Sequence, residues 1–524
     1  MIIQKIRAIF LVFVTLVVIF SGAHSDDSVQ STTVNEYIGT ETTSSISNPS
    51  KKILGKKNVE ESFLGEINLN GIGLISIERT KFPDDLWSNS SEKVLSEKLN
   101  SMPKLSLAST NKIFKRLLIV DAKPPLNSIG VRNMGYLFLL SRIDQLINMG
   151  AIDEAEEILN YIKEPSIEFM KRRIEVATLN GRLSKTCELA NKYPNFKGML
   201  QFKIICLVRK NDWQAAALAF TVGSSLQQFD KKEKQLLLNY LDPEIEPNYS
   251  YDIEINDLSP INFYLIYGNK ELTPPDMLPN KYAYAFSLLG MAPKTRIKFM
   301  EQLALNYVVN ANTLFNLYRS SPSEDKEEAN NARKTVNELD QSFNSDSEKR
   351  KLFALRKATE VFQKKKLLVH LSNEYSDELK KLYSSDNKRL NDLAITLLTL
   401  TDGMTNEFYT LGSTNPDINC LIDIKKRVFI NYETDTSLCE LVKKLNIEII
   451  KESFPTNRNY DAQMEKGLIL LESLNLLKSG LSTEFEDIKL SLSMLTKIGL
   501  IELVNEISIE LIALNTLKEM VVNK

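Results

Sequence analysis

Gly150–Leu159 reads GAIDEAEEIL, and the same arrangement recurs without gaps at Gly181–Ala190 (GRLSKTCELA) and Asn211–Phe220 (NDWQAAALAF). Each stretch opens on Gly or Asn. An apolar residue follows two positions on (Ile152, Leu183, Trp213), and a small one three further (Ala155, Thr186, Ala216). Gly and Asn tolerate the left-handed backbone that closes a helix. A small side chain lets the next helix approach closely. The three stretches therefore mark turns between antiparallel helices, and the pattern assigns Trp213 to the core. Gly499–Val504 repeats the arrangement less completely.

Working outward, apolar residues recur at intervals of three and four from about Ser106 onward, the signature of amphipathic helices. Breaks are short, at Asn148–Gly150, Asn180–Gly181, Tyr193–Asn195 and Arg209–Asn211, as antiparallel neighbours require. A spacing of roughly thirty residues means stacked helix pairs. The chain is expected to be all-α, an irregular α-solenoid of antiparallel helix pairs led by a short extended segment. Gly150–Leu159 resembles a tetratricopeptide-type repeat. The period is shorter than that family's, most of its aromatic positions are missing, and the register fades after about Tyr240.

Several composition shifts divide the chain. Lys5 and Arg7 precede the apolar run Ala8–Phe20 (AIFLVFVTLVVIF), and the small residues around Ala23–Ser25 follow. That is the three-part layout of a secretory signal, 1–25, with cleavage before Asp26 or after Ala23. Residues 26–62 are rich in Ser, Thr and Asn and have little to bury, so they are expected to form a disordered tether. Ile67–Ile77 (INLNGIGLISI) and Phe82–Trp87 (FPDDLW) lead into a first helical repeat unit, 63–248, with Trp87 anchoring the lead-in. Pro260, Pro274 and Pro275 limit helix length in a connecting region, 249–320. Residues 321–350 read as a charged linker with an exposed helix, and 351–524 as a C-terminal helical unit. Leu265–Leu289 carries too many charges to span a bilayer, so no integral membrane span is expected after signal cleavage.

The chain has 65 basic and 67 acidic residues, and loss of the signal would leave 63 against 67. Nucleic-acid binding needs concentrated positive charge, so no nucleic-acid partner is expected. Lys364–Lys366 reads as a solvated helix face.

The four cysteines form two pairs of equal spacing, Cys187 with Cys206 and Cys420 with Cys439. Cys187 and Cys206 lie nearly equidistant from the turn at Asn195–Gly198, where an antiparallel hairpin brings such positions together. Disulfides persist in oxidising compartments, and export with an even cysteine count favours both pairings. A structural zinc site needs closely spaced cysteine pairs, which this chain lacks. No metal or other cofactor is expected.

Chemistry-bearing motifs are sparse. His24 and His370 are the two histidines, and His370 follows Leu367–Val369 in an apolar helix pattern, where a structural role is expected. Gly71-Ile72-Gly73 begins like a dinucleotide loop but has Ser76 where a third glycine belongs, without a βαβ unit. Glu452-Ser453-Phe454 resembles the Glu-Ser motif of lytic transglycosylases, yet Pro455–Asn459 replaces the glycine-rich continuation. Glu452 therefore reads as a surface carboxylate.

The layout as a whole resembles a group of uncharacterised exported proteins of alphaproteobacteria. It shares the Phe-Pro-x-x-Leu-Trp element (Phe82–Trp87), the Gly-x-x-Asp-Glu-Ala hairpin (Gly150–Ala155) and a cysteine-bearing helix pair (Cys187, Cys206), followed by a long helical remainder. The resemblance implies export and architecture, and no reaction. The expected function is a non-enzymatic, periplasmic or otherwise exported scaffold or adaptor that binds another envelope protein or peptide. The rivals are a glycan-acting enzyme of lytic-transglycosylase type and a structural subunit of an envelope complex.

Overall fold

In the computed structural model, Gly150, Gly181 and Asn211 have φ of 84°, 73° and 60°, each ending a helix in the left-handed conformation that the repeat requires. Residues 68–522 are described, apart from 127–135, 164, 194–195, 245–254, 269–274, 276, 289–292, 322–330, 384, 403–411, 428–436 and 453–463. The expected signal and tether lie outside the described residues, as do the turn residues 194–195, Pro274 and most of the serine-rich stretch after Ser321.

The described residues form an all-α array of antiparallel helix pairs. Helices Leu137–Met149, Ile152–Asn160, Ile167–Asn180, Ser184–Ala190, Met199–Arg209, Trp213–Ser225 and Lys231–Leu241 each pack on the next in sequence. Ile152, Ala155, Leu183, Thr186 and Ala216 are all buried in their interfaces. Trp213 is not, and here the sequence pattern misleads: it is 49% exposed. Helix Trp213–Ser225 seats itself through its smallest residues, Ala216 and Gly223. A Cβ on Gly223 would lie 2.6 Å from both Leu200 and Phe229, so the close approach leaves the bulkier side chains outside.

The extended lead-in is small. Ile75–Ser76 pairs in parallel with Val120–Asp121. Gly71 and Gly73 allow that contact, because a Cβ on Gly73 would fall 2.1 Å from the Val120 backbone. Close backbone packing accounts for both glycines. Trp87 is buried as expected, with its ring edge-on to Phe138 at 4.9 Å.

The connecting region and the charged stretch both contribute to the core. Within 249–320, helices Pro260–Tyr267 and Asn280–Leu288 pack on Ile167–Asn180, and Phe263, Tyr282, Phe286 and Phe299 form a continuous aromatic cluster of stacked and edge-on rings. In the charged 321–350 stretch, helix Ala332–Phe343 buries Ala332, Val336 and Leu339 against helix Glu348–Lys364. Lys334 is exposed and Glu338 and Asp340 are partly so, whereas Arg333 is buried with the apolar stripe, so it is an amphipathic helix.

The last helix, Ile501–Val522, explains why the sequence boundaries at 248 and 351 are not breaks in the packing. Its 22 residues span about 33 Å. It packs on Glu348–Lys364, Lys388–Thr399, Pro416–Lys426, Ser437–Glu452 and Phe485–Lys497, and also on Ala108–Ile119 near the start. Helix Lys466–Leu476 likewise packs on Glu92–Asn100. From Glu66 onward the chain is one compact unit.

Buried charges fix this return. Helix Ala108–Ile119 starts after Leu107, whose side chain cannot cap it. Glu510, from the last helix, does so instead: the backbone N–H groups of Ala108 and Ser109 donate to its two carboxylate oxygens at 2.8 and 2.7 Å. At the other end, fully buried Arg142 donates to the carbonyls of Leu118 (2.9 Å), Val120 (2.7 Å) and Asn70 (3.2 Å). Burial lowers the Arg142 pKa to about 10, so it stays charged at neutral pH. Anions favour a helix N-terminus and cations a C-terminus, and this helix has both.

The Trp87 anchor is locked by Gly467, whose N–H donates to the Leu86 carbonyl at 2.8 Å. A Cβ there would lie 2.4 Å from the Trp87 ring and 2.6 Å from the Leu86 oxygen. Gly467→Ala is expected to destabilise the fold by about 3 kcal/mol, the upper end of typical overpacking costs. Urea unfolding checks this, and an unchanged midpoint would show that the lead-in is not seated against Lys466–Leu476.

Candidate functional site

Both cysteine pairs are joined as disulfides. Cys187 lies on helix Ser184–Ala190 and Cys206 on Met199–Arg209, with Gly198 (φ 84°) at the turn between them and Cα atoms 5.7 Å apart. Cys420 on Pro416–Lys426 and Cys439 on Ser437–Glu452 have Cα atoms 6.3 Å apart. Closing loops of this size stabilises by roughly 3 kcal/mol in the chain-entropy account. With the sulfurs bonded to each other, none is a thiolate for a metal.

The remaining sequence candidates fall into structural roles or outside view. His370 is buried, its Nε2 lies 3.2 Å from the Val309 carbonyl oxygen, and its ring packs on Tyr307 at 5.0 Å. Burial depresses its pKa to about 4, despite the Val309 contact and the charge of Asp402. Glu452 ends helix Ser437–Glu452, but its side chain lies outside the described residues, as does Ser453. In Lys364–Lys366, Lys364 pairs with Glu360 on the exposed helix face, while Lys365 reaches Glu301 of another helix at 2.6 Å. The run is therefore partly a cross-link between helices.

What sequence reasoning missed is a surface. Helix Trp213–Ser225 packs on Met199–Arg209 and Lys231–Leu241 and presents its other side to solvent. Leu218, Val222 and Leu226 recur every fourth position and are 65%, 48% and 64% exposed. No charged residue occurs from Trp213 to Gln228. Single exposed apolar residues are ordinary, whereas a grouped, uncharged apolar face marks an interaction site. The Cys187–Cys206 bond pins the helix on which this face rests, so the surface is presented on a covalently braced support. The available signal was the seven-residue stretch Ala215–Thr221, which is too apolar and small-residue-rich for an ordinary solvated helix side.

No helix among the described residues is long and apolar enough to cross a membrane. Comparison with protein-family models, curated proteins and solved structures gives no match to this chain.

His370 supplies a pH test of its structural role. Its folded pKa of about 4 lies below the unfolded value of about 6.5. The associated stability is therefore complete above about pH 6.5 and is lost as pH falls toward 4, by roughly 3 kcal/mol. An NMR titration should show the His370 ring neutral down to about pH 4, and His370→Gln should flatten the stability profile between these limits. A ring that titrates near its ordinary value would mean that it is accessible to water.

Proposed function

We propose that this protein is an exported, non-enzymatic helical-repeat adaptor that holds another envelope protein or peptide through the apolar face of helix Trp213–Ser225. The observation that carries the reading is that face: Leu218, Val222 and Leu226 in register, with no charge from Trp213 to Gln228. Spacing by four suits an apolar helix laid alongside, each partner burying a stripe on the other. Fully burying a Leu or Val side chain stabilises by roughly 1.5–3 kcal/mol, so three half-exposed residues have appreciable binding energy in reserve. Because ion pairs play no part, association should be insensitive to salt, unlike a charge-steered contact.

Export rests on separate support: the Lys5/Arg7, apolar and small-residue order at the N-terminus, and two disulfides of the kind that oxidising compartments preserve. A periplasmic address and kinship with the exported alphaproteobacterial proteins belong to this proposal.

A photo-crosslinking residue placed at Leu218 tests the reading in cells, with the same residue at Phe353, another exposed site (73%), as the control. The expected result is one defined adduct from position 218 only, retained in high salt and abolished by Val222→Glu. That variant should change stability by no more than about 0.5 kcal/mol, as surface substitutions do. The crosslinked chain should begin at His24 or Asp26. An adduct of twice the chain's mass would make the partner a second copy and overturn the adaptor reading, as would equal crosslinking from Phe353. An intact Met1 would count against export.

A further inference from the structure

A second feature lies away from the apolar face. A cavity of about 330 Å³ opens where helices Ala108–Ile119, Pro416–Lys426 and Ile501–Val522 meet. That volume is at the lower end of small-molecule sites. Its apolar lining comes from Tyr307, Val369, Leu400, Ile424, Leu503 and Ile509. Its charged lining has five cations (Lys81, Lys112, Arg116, Lys425, Arg427) and four carboxylates (Asp402, Glu502, Glu506, Glu510).

The pairing among these charges is uneven. Arg116 pairs with Glu506 at 2.9 Å, Lys112 with Asp402 and more distantly with Glu506, and Lys81 and Arg427 both with Glu502. Glu510 is held by the backbone donors of Ala108 and Ser109. Lys425 is different. Its ammonium donates to the Thr401 carbonyl at 2.8 Å, and among the described residues no carboxylate lies within ion-pair distance of it. Burial lowers its pKa to about 8, against the opposing charges of Asp402 and Glu506. Among the described residues, this desolvated ammonium has two donor positions left and no paired carboxylate.

We propose that this cavity binds a small organic monocarboxylate, with its carboxylate on Lys425 Nζ and its apolar body against Tyr307 and Leu503. The one-charge excess of the lining selects a monoanion. A phosphate monoester, closer to a dianion at neutral pH, would overcompensate it, and an organic cation would meet an already positive lining. The site is independent of the apolar face of helix Trp213–Ser225, and either can fail without the other.

Benzoate is the probe, with benzylamine and inorganic phosphate as controls, on the full disulfide-bonded chain. Calorimetry should show saturable benzoate binding below about 10 mM, with Lys425→Met weakening it at least about tenfold, as loss of a charge-assisted hydrogen bond does. In the unaltered chain, benzoate should slow acetylation of Lys425 by acetic anhydride several-fold relative to Lys232, read by mass spectrometry. This arm holds even if the variant folds poorly. The proposal is overturned by no saturable binding, by unchanged affinity in Lys425→Met, by acetylation unaffected by benzoate, or by equal binding of benzylamine or phosphate.

Discussion

Helix Ala108–Ile119 is held at both ends by buried side chains of opposite charge, and the rest of the fold is arranged around that constraint. Glu510 receives its first N–H groups, and Arg142 donates to the carbonyls at its last turn and beyond. Neither charge could be buried alone without several kcal/mol of penalty, and the helix ends would otherwise leave buried donors and acceptors unmatched. Each supplies what the other element lacks. The result joins residues 402 positions apart in sequence. It turns a stack of hairpins, which would normally contact only their neighbours, into a unit closed by its own last helix.

Much of the fold was legible because it is local. Gly150, Gly181 and Asn211 announce helix ends by needing positive φ, and the small residues Ala155, Thr186 and Ala216 announce close packing. The structure places all six as the pattern requires. The Cys187–Cys206 pairing was legible for the same reason, since two positions equidistant from a turn meet across a hairpin. The close backbone approach at Gly71 and Gly73, to Ala122 and Val120 respectively, needs the paired strand to be seen.

What was not legible depends on distant partners. Periodicity says that a helix has an apolar side, but not whether a neighbour arrives to cover it. Trp213 occupies the position of Ile152 and Leu183, yet its helix docks through Ala216 and Gly223 and leaves it half exposed. The converse holds for Ala332–Phe343, whose charge-rich sequence reads as solvated but whose Val336 and Leu339 find helix Glu348–Lys364. Arg142, Lys425 and Glu510 look like ordinary surface charges in the sequence. Only the three-dimensional packing makes Arg142 and Glu510 helix anchors and leaves Lys425 with a carbonyl for company.

Native-state hydrogen exchange in increasing denaturant tests the closure most directly. If buried charges at helix Ala108–Ile119 bind the start of the chain to its end, amides in 108–119, 137–149 and 501–517 should exchange through one common opening in the unaltered protein. In Glu510→Ala, all three should lose protection together. Independent openings, with the repeats at 137–241 still protected where 501–517 exchanges freely, would contradict the account and leave an open stack of separate hairpins.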